Sequence, residues 1–286
     1  MAAEPPIALP PALTRLLDEI SAARGRVLVL TGAGISAESG VPTFRGAEGF
    51  WRVGSRNYHA QELATHAAFS EMPEEVWAWY LYRRGVCRAA FPNRAHRALV
   101  ALEQAIDDRF VLITQNVDGL HARAGQSAAR TFAIHGDIDR MRCVRACGAP
   151  PVPVPEAIDL AWPKERKLGP AERERLRCGA CGAPSRPHIL WFDEHYDEEN
   201  YRLESSLEAA ERADLLIIIG TSGATQLPNQ VAALVARQGG AVVAVNPEPS
   251  PFTALAERLD RGCFVEAGAT AAVPPITERL GAARVE

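Results

Sequence analysis

The chain has no stretch of 18 apolar residues, and its longest uninterrupted ones, such as Leu215 to Ile219, are the length of a buried strand. Nothing is expected to cross a bilayer, and no membrane partner is expected. Near its start the chain carries Glu4 where a secretory signal would carry Lys or Arg, and Pro5, Pro6, Pro10 and Pro11 interrupt the apolar stretch. A cytoplasmic location is therefore expected. No excess of positive charge exists either: the net charge is −4 and the isoelectric point about 6.0, which argues against a nucleic-acid partner. Cysteine is scarce, and six in 286 residues are too few for a disulfide scaffold. Four of them stand in two close pairs, which in a reducing compartment reads as metal ligation, whereas Cys87 and Cys263 read as small core residues. What is present is ordinary globular material. Hydrophobic residues make up 47% and charged residues 23%, with a mean hydropathy of −0.09, so disordered, collagenous and fibrous classes are excluded.

Leu13, Leu16, Leu17 and Ile20 fall at i, i+3, i+4 and i+7, predicting an amphipathic helix over Pro11 to Arg24. Continuous aliphatic runs follow at Arg26 to Thr31, Phe110 to Thr114, Asp214 to Ile219 and Ala241 to Val245, with a shorter one at Thr131 to Ile134. Runs that do not alternate are buried on both faces, as parallel strands covered by helices are. Helical patterns separate them at Arg94 to Ile106, Glu198 to Ala213 and Asn229 to Gln238. The expected fold is therefore α/β, a doubly wound, Rossmann-like parallel sheet that binds ligands beyond its carboxyl ends. Two stretches break the alternation. Residues 46–91 hold a helical pattern at Glu74 to Ala90 and no strand, and residues 138–188 hold the paired cysteines and a Pro-rich run. The expected organisation is a Rossmann-like domain of residues 11–45, 92–137 and 189–275, with the helical insertion 46–91 and the cysteine-bearing insertion 138–188 forming a smaller domain.

Directly after the first strand stands Gly32-Ala33-Gly34-Ile35-Ser36-Ala37, a G-x-G-x-x-A turn in the strand-turn-helix setting that suits a diphosphate. No acidic residue follows a second strand about 20 positions on, so a hydride-transferring dehydrogenase is not supported. The turn continues through Glu38 to Gly46, longer than such an enzyme needs. The full GAGISAESGVPTFRG stretch resembles the signature of the sirtuins, the NAD-dependent protein-lysine deacylases. The likeness recurs in family order at Thr114-Gln115-Asn116-Val117-Asp118-Gly119-Leu120-His121, Ile134-His135-Gly136, Gly220-Thr221-Ser222 and Val245-Asn246, and covers about residues 25–270. Cys143-x3-Cys147 and Cys178-x2-Cys181 can close a four-thiolate tetrahedral zinc site with no open position, a structural metal. The first pair is one residue wider than the C-x2-C usual in sirtuins.

The resemblance implies roles for particular residues. Gly32, Ala33, Gly34 and Ser36 would hold the diphosphate of NAD, and Phe44 and Arg45 would lie over the nicotinamide ribose. Gln115, Asn116 and Asp118 would engage the ribose and the carboxamide, and Gly220, Thr221, Ser222 and Asn246 the adenosine half. His135 would be the general base, since an imidazole can deprotonate a ribose hydroxyl at cellular pH. In sirtuin chemistry the acyl-lysine amide oxygen attacks the anomeric carbon and releases nicotinamide. Transfer of the acyl group then leaves free lysine and O-acyl-ADP-ribose, so NAD is consumed. Arg186 to Glu194 resembles the stretch that pairs with an acyl-lysine protein or peptide as an added strand, with Asp193 in place of the usual Gly.

On the Glu74 to Ala90 helix, Tyr80 and Arg83 stand at i, i+3 and project from one face. A phenol beside a guanidinium is a carboxylate receptor, suited to a succinyl, malonyl or glutaryl lysine. This Y-x-x-R, with Ala60 and Trp77 nearby in sequence, resembles the desuccinylase and demalonylase branch. Tyr82 and Arg84 are alternative partners if the helix is rotated. The competing activities are plain lysine deacetylation and protein ADP-ribosyl transfer from the same NAD site.

Overall fold

A computed structural model of the chain describes residues 5–42, 50–53 and 55–282. Among the described residues the strands are β1 (Val27–Thr31), β2 (Phe50–Val53), β3 (Arg56–His59), β4 (Phe110–Thr114), β5 (Thr131–Ala133), β6 (Gly136–Cys143), β7 (Val152–Pro153), β8 (Ser185–Ile189), β9 (Leu215–Ile219), β10 (Ala241–Asn246) and β11 (Gly262–Glu266). Six of them form a parallel sheet in the order β11-β10-β9-β1-β4-β5. Every residue of β1 and of β9 is buried, because helices cover both faces.

Successive side chains point to opposite faces, and the core divides accordingly. Val27, Val29, Leu112 and Ile217 face the helices Pro11–Ala22, Arg94–Ile106 and Ala269–Gly281 through Leu17, Leu99 and Ile276. Leu28, Leu30, Ile113 and Ile218 face the helices Gln226–Arg237 and Pro251–Arg258 through Val231, Val235 and Phe252. From β1 the chain winds outward through β4 and β5 on one side and, later, through β9, β10 and β11 on the other. The winding reverses between β1 and β9, which opens a crevice beyond their carboxyl ends.

Several expectations need correction. Residues 46–91 do contain strands: β2 and β3 pair as an antiparallel hairpin, four residues each and mostly exposed along β3, so no apolar pattern announces them. The segment expected as one helix from Glu198 is two, Glu198–Tyr201 and Leu203–Glu211, parted at Arg202, whose φ of 56° is left-handed. β11 is an edge strand with one fully buried residue, and its helix Ala269–Gly281 carries Pro274 and Pro275 inside it.

The two insertions share one hydrophobic cluster, in which Trp77, Trp79 and Leu81 of the helix Pro73–Ala89 meet Ile138, Met141, Ile158 and Trp162. β6, β7 and β8 form an antiparallel sheet in the order β7-β6-β8. Buried Arg84 crosses the junction to Asp139, Nε to Oδ1 at 2.8 Å, and Arg88 bonds the same oxygen at 2.8 Å. No helix among the described residues is long and apolar enough to cross a membrane.

Gly85 lets the helix approach the second insertion closely: a Cβ there would lie 2.3 Å from the Leu160 carbonyl oxygen. Helix preference favours alanine over glycine by about 1 kcal/mol, but backbone overlap at that distance costs about 1–3 kcal/mol. Gly85→Ala is therefore expected to lower the Tm, measured by calorimetry; an unchanged or higher Tm would show that this contact does not set the insertion's position.

Candidate active site and zinc centre

The crevice is built from two turns that touch. β1 leads into Gly32-Ala33-Gly34 and the one-turn helix Gly34–Ala37, and β9 leads into Gly220-Thr221. The Gly34 amide donates to the Gly220 carbonyl at 2.8 Å. A Cβ on Gly34 would lie 2.5 Å from the Gly220 Cα, and one on Gly32 would lie 2.6 Å from the Thr221 Cβ. Gly220 itself is left-handed, with φ of 61°. Only glycine permits this approach, which leaves a backbone-lined cradle of the kind that accepts a diphosphate.

The strand beside β1 supplies the polar side chains. Asn116 Nδ2 donates to the Gly32 carbonyl at 3.0 Å and to Ser36 Oγ at 3.1 Å. Gln115 Nε2 donates to Thr221 Oγ1 at 2.8 Å and to the Thr31 carbonyl at 3.3 Å. Asp118 is buried and accepts from the Leu120 amide at 2.8 Å. Burial raises its carboxyl, opposed by the hydrogen bond from Ser36. The structure thus brings Gly32, Ala33, Gly34, Ser36, Gln115, Asn116, Asp118, Gly220 and Thr221 together. Asn246 ends β10 and bonds the Glu248 carbonyl, and Ser222 follows Thr221 at an exposed position. Phe44 and Arg45 lie outside the described residues.

His135 follows β5 and points its ring into this network. Its Nδ1 lies 3.0 Å from the Gln115 carbonyl oxygen and its Nε2 lies 2.9 Å from the Tyr196 hydroxyl. A carbonyl only accepts, so Nδ1 carries the hydrogen and Nε2 offers its lone pair to the phenol. Burial pulls the imidazole down to about 4, against the hydrogen bond to Gln115. Tyr196 and Thr225, whose Oγ1 donates to Gln115 Oε1 at 3.0 Å, are site residues that sequence reasoning missed. Both stand outside the motifs named above, so no local pattern marks them. Asp193 has a structural role of its own: its two oxygens accept the His66 and Ala67 amides at 2.7 and 3.1 Å, capping the helix His66–Glu71.

Beneath the crevice His121 Nε2 meets Thr31 Oγ1 at 3.0 Å, and its ring lies 4.8 Å from that of His96. Burial lowers both imidazoles, His96 to about 4 and His121 well below its ordinary value. His188, stacked on Tyr201, is likewise lowered to about 4, by burial first.

On the helix Pro73–Ala89, Tyr80 is buried and its oxygen accepts from Trp191 Nε1 at 2.9 Å. Arg83 is half-buried, its guanidinium 5.2 Å from the Trp79 ring centroid. Burial pushes the Tyr80 phenol up, and the positive field of Arg83 opposes that shift. Of the alternative partners, Arg84 is committed to Asp139, and Tyr82 lies 5.9 Å from the Lys164 ammonium.

The sulfurs of Cys143, Cys147, Cys178 and Cys181 lie within 4.8 Å of one another. Cys143 to Cys181 is 3.5 Å and Cys147 to Cys178 is 3.7 Å. Tetrahedral Zn–S bonds of about 2.3 Å set sulfurs about 3.8 Å apart, so the four fit a zinc ion and leave it no open position. The extra residue of the first knuckle is taken up by Ala146, left-handed with φ of 47°, ahead of Gly148 with φ of 83°.

A doubly wound sheet with a glycine cradle at its switch point and a four-thiolate zinc knuckle defines a class, NAD-using α/β enzymes with a structural metal. Comparison with known proteins names the family. Residues 32–226 match the Sir2 family model. The chain is 42% identical over 256 residues to the NAD-dependent protein deacylase of Thermus thermophilus, covering 88% of this chain and 91% of that one. It is 40% identical over 237 residues to the protein of the same name from Leptospira interrogans, covering 83% and 87%. A crystal structure of a Sir2 homologue with NAD superposes with a TM-score of 0.76 at 32% identity, over 97% of this chain and 96% of the other. A Sir2 complex with a p53 peptide and NAD gives 0.69 at 26% identity, over 94% and 97%. The chain belongs to the Sir2 family; it is a sirtuin, an enzyme with NAD as co-substrate.

Metal analysis is expected to find one zinc per chain, and Cys178→Ser or prolonged chelation to remove it and lower the Tm. An unchanged Tm after complete removal would contradict a structural role. The buried histidines give a second expectation. Their folded pKa values lie below the unfolded value of about 6.5, so the unfolded chain binds more protons as the pH falls. Stability is complete above about pH 6.5 and declines from there toward about pH 4. A Tm that stays flat between about pH 7 and 5 would contradict it.

Proposed function

We propose that this NAD-dependent protein deacylase prefers lysines carrying succinyl, malonyl or glutaryl groups, retains some deacetylase activity, and yields nicotinamide and O-acyl-ADP-ribose. The observation that carries the preference is the arrangement of Tyr80 and Arg83. Trp191 donates to the Tyr80 oxygen from one side, so the phenol keeps its own O–H to give to a ligand. One helical turn on, the guanidinium supplies positive charge near the same phenol and two N–H groups that match a carboxylate. A plain acetyl pocket has no use for that charge.

The substrate is an acyl-lysine protein or peptide. β8 stands at the edge of the sheet β7-β6-β8, and the Arg186 to Glu194 stretch that includes it offers backbone for an added strand. Trp191 in that stretch contacts Tyr80, and the next residue, Phe192, is exposed. The NAD co-substrate supplies the anomeric carbon that takes the acyl oxygen. Gly32, Ala33, Gly34 and Ser36 hold its diphosphate, with Phe44 and Arg45 over the nicotinamide ribose. Gln115, Asn116 and Asp118 orient ribose and carboxamide, and Gly220, Thr221, Ser222 and Asn246 take the adenosine half. His135 is the general base: partly buried at the crevice, it can accept a ribose hydroxyl proton on Nε2 when that hydroxyl takes the place of the Tyr196 O–H bonded there. The parts divide as residues 11–45, 92–137 and 189–275 for NAD and 46–91 with 138–188 for the acyl group and zinc. We place the enzyme in the cytoplasm, where its six cysteines, all free of disulfides, stay reduced.

The test is kcat/KM for wild type and Arg83→Met on one peptide bearing either acetyl-lysine or succinyl-lysine. Losing a partly buried charge contact costs ~2–5 kcal/mol, about 30-fold to several thousand-fold, and the loss is expected on the succinyl peptide alone. Equal losses on both peptides, or an acetyl preference in the wild type, would make the enzyme a plain deacetylase. His135→Ala is expected to abolish turnover of both.

A further inference from the structure

Just past the Arg186 to Glu194 stretch the structure puts a phenol on His135. We infer that Tyr196 is a positioning residue for His135, its hydroxyl donating to Nε2 and holding the Nδ1-protonated imidazole with its ring fixed toward the crevice until a ribose hydroxyl takes the place of the phenol and gives its proton to Nε2. The inference rests on His135 being the general base and deepens that reading.

Three observations support it. The contact is direct, Nε2 to hydroxyl at 2.9 Å, with ring centroids 5.9 Å apart. The imidazole is tied into the NAD-site network on its other side as well: the Gln115 side chain accepts from Thr225 Oγ1 at 3.0 Å. Gln115 in turn holds both the His135 Nδ1 side and Thr221. The backbone around Tyr196 is pinned on both sides by carboxylates. Asp193 caps the helix His66–Glu71, and Asp197 Oδ1 accepts the Asn200 amide at 2.6 Å to cap the helix Glu198–Tyr201. A tyrosine suspended between two capped helices is a fixed donor rather than a loose side chain.

A donor aimed at a lone pair stabilises the neutral imidazole, because protonation of Nε2 must break that bond. The other ionisable groups on the surrounding elements are engaged elsewhere. Asp118 bonds Leu120 and Ser36, and Asp137 bonds the Asp139 amide. Asp193 and Asp197 cap helices, Glu194 pairs with Arg186 and Arg142, and His188 stacks on Tyr201. Tyr196 is thus the ionisable side chain that bonds the base.

The experiment is the pH dependence of kcat/KM on an acylated peptide for wild type, Tyr196→Phe and His135→Ala. Tyr196→Phe removes one oxygen and is expected to move the acidic limb upward by about half to one pH unit. A merely structural tyrosine would lower turnover evenly at all pH values. If Tyr196→Phe leaves the limb in place while His135→Ala is inactive, the inference falls and the base assignment stands. If His135→Ala remains active, the base assignment falls and takes the inference with it.

Discussion

The contact between Gly34 and Gly220 is the constraint on which the rest of the site depends. It joins the turn after β1 to the turn after β9 across the point where the sheet reverses its winding, at a distance no side chain allows. Once those turns are fixed, the Gly32 carbonyl and Thr221 hydroxyl stand where Asn116 and Gln115 can bond them. Through the Gln115 carbonyl the same geometry reaches His135. A nucleotide cradle and the proposed base His135 are thereby placed by backbone packing rather than by flexible side chains, which is how a site holds the sub-ångström positions that catalysis requires.

A second theme is the exclusion of charge from the base. His121 and His96 are buried and His135 partly so, and burial lowers all three imidazoles. Buried carboxylates in the same region are spent on amides and hydroxyls. Such an environment favours a base whose protonation is set by hydrogen bonds and burial, not by a neighbouring ion. Charge is concentrated instead in the insertions, where Arg84 and Arg88 share Asp139 and Arg186 pairs with Glu194. Arg83 stands in that charged layer, beside the Tyr80 phenol and away from the base.

Much of this was legible in sequence, for physical reasons that differ by element. β1, β4, β9 and β10 announce themselves because buried parallel strands need unbroken aliphatic runs, and the four cysteines because a zinc ion needs four thiolates at short spacing. The glycine turn was readable because its chemistry is local. What was not readable is what tertiary contact decides. β11 and the hairpin β2–β3 lie at exposed edges and carry no apolar period. The helix break at Arg202 is one residue in a left-handed conformation within an otherwise helical pattern. Tyr196 and Thr225 belong to no local motif. Tyr196 meets His135, and Thr225 meets Gln115, only because Asp193 and Asp197 fasten one loop and the switch point brings the other beside it. Asp193 looked like a disturbance of a turn and is a helix cap.

The central claim, that the chain removes acidic acyl groups with NAD, is tested most directly by competition. An equimolar mixture of acetyl-lysine and succinyl-lysine peptides of the same sequence, given limiting NAD and followed by mass spectrometry, reports the ratio of kcat/KM values in one reaction. The account predicts that the succinyl peptide is consumed first, with nicotinamide and O-succinyl-ADP-ribose appearing in equal amounts. Faster loss of the acetyl peptide, or ADP-ribose accumulating on protein in place of the O-acyl product, would contradict it.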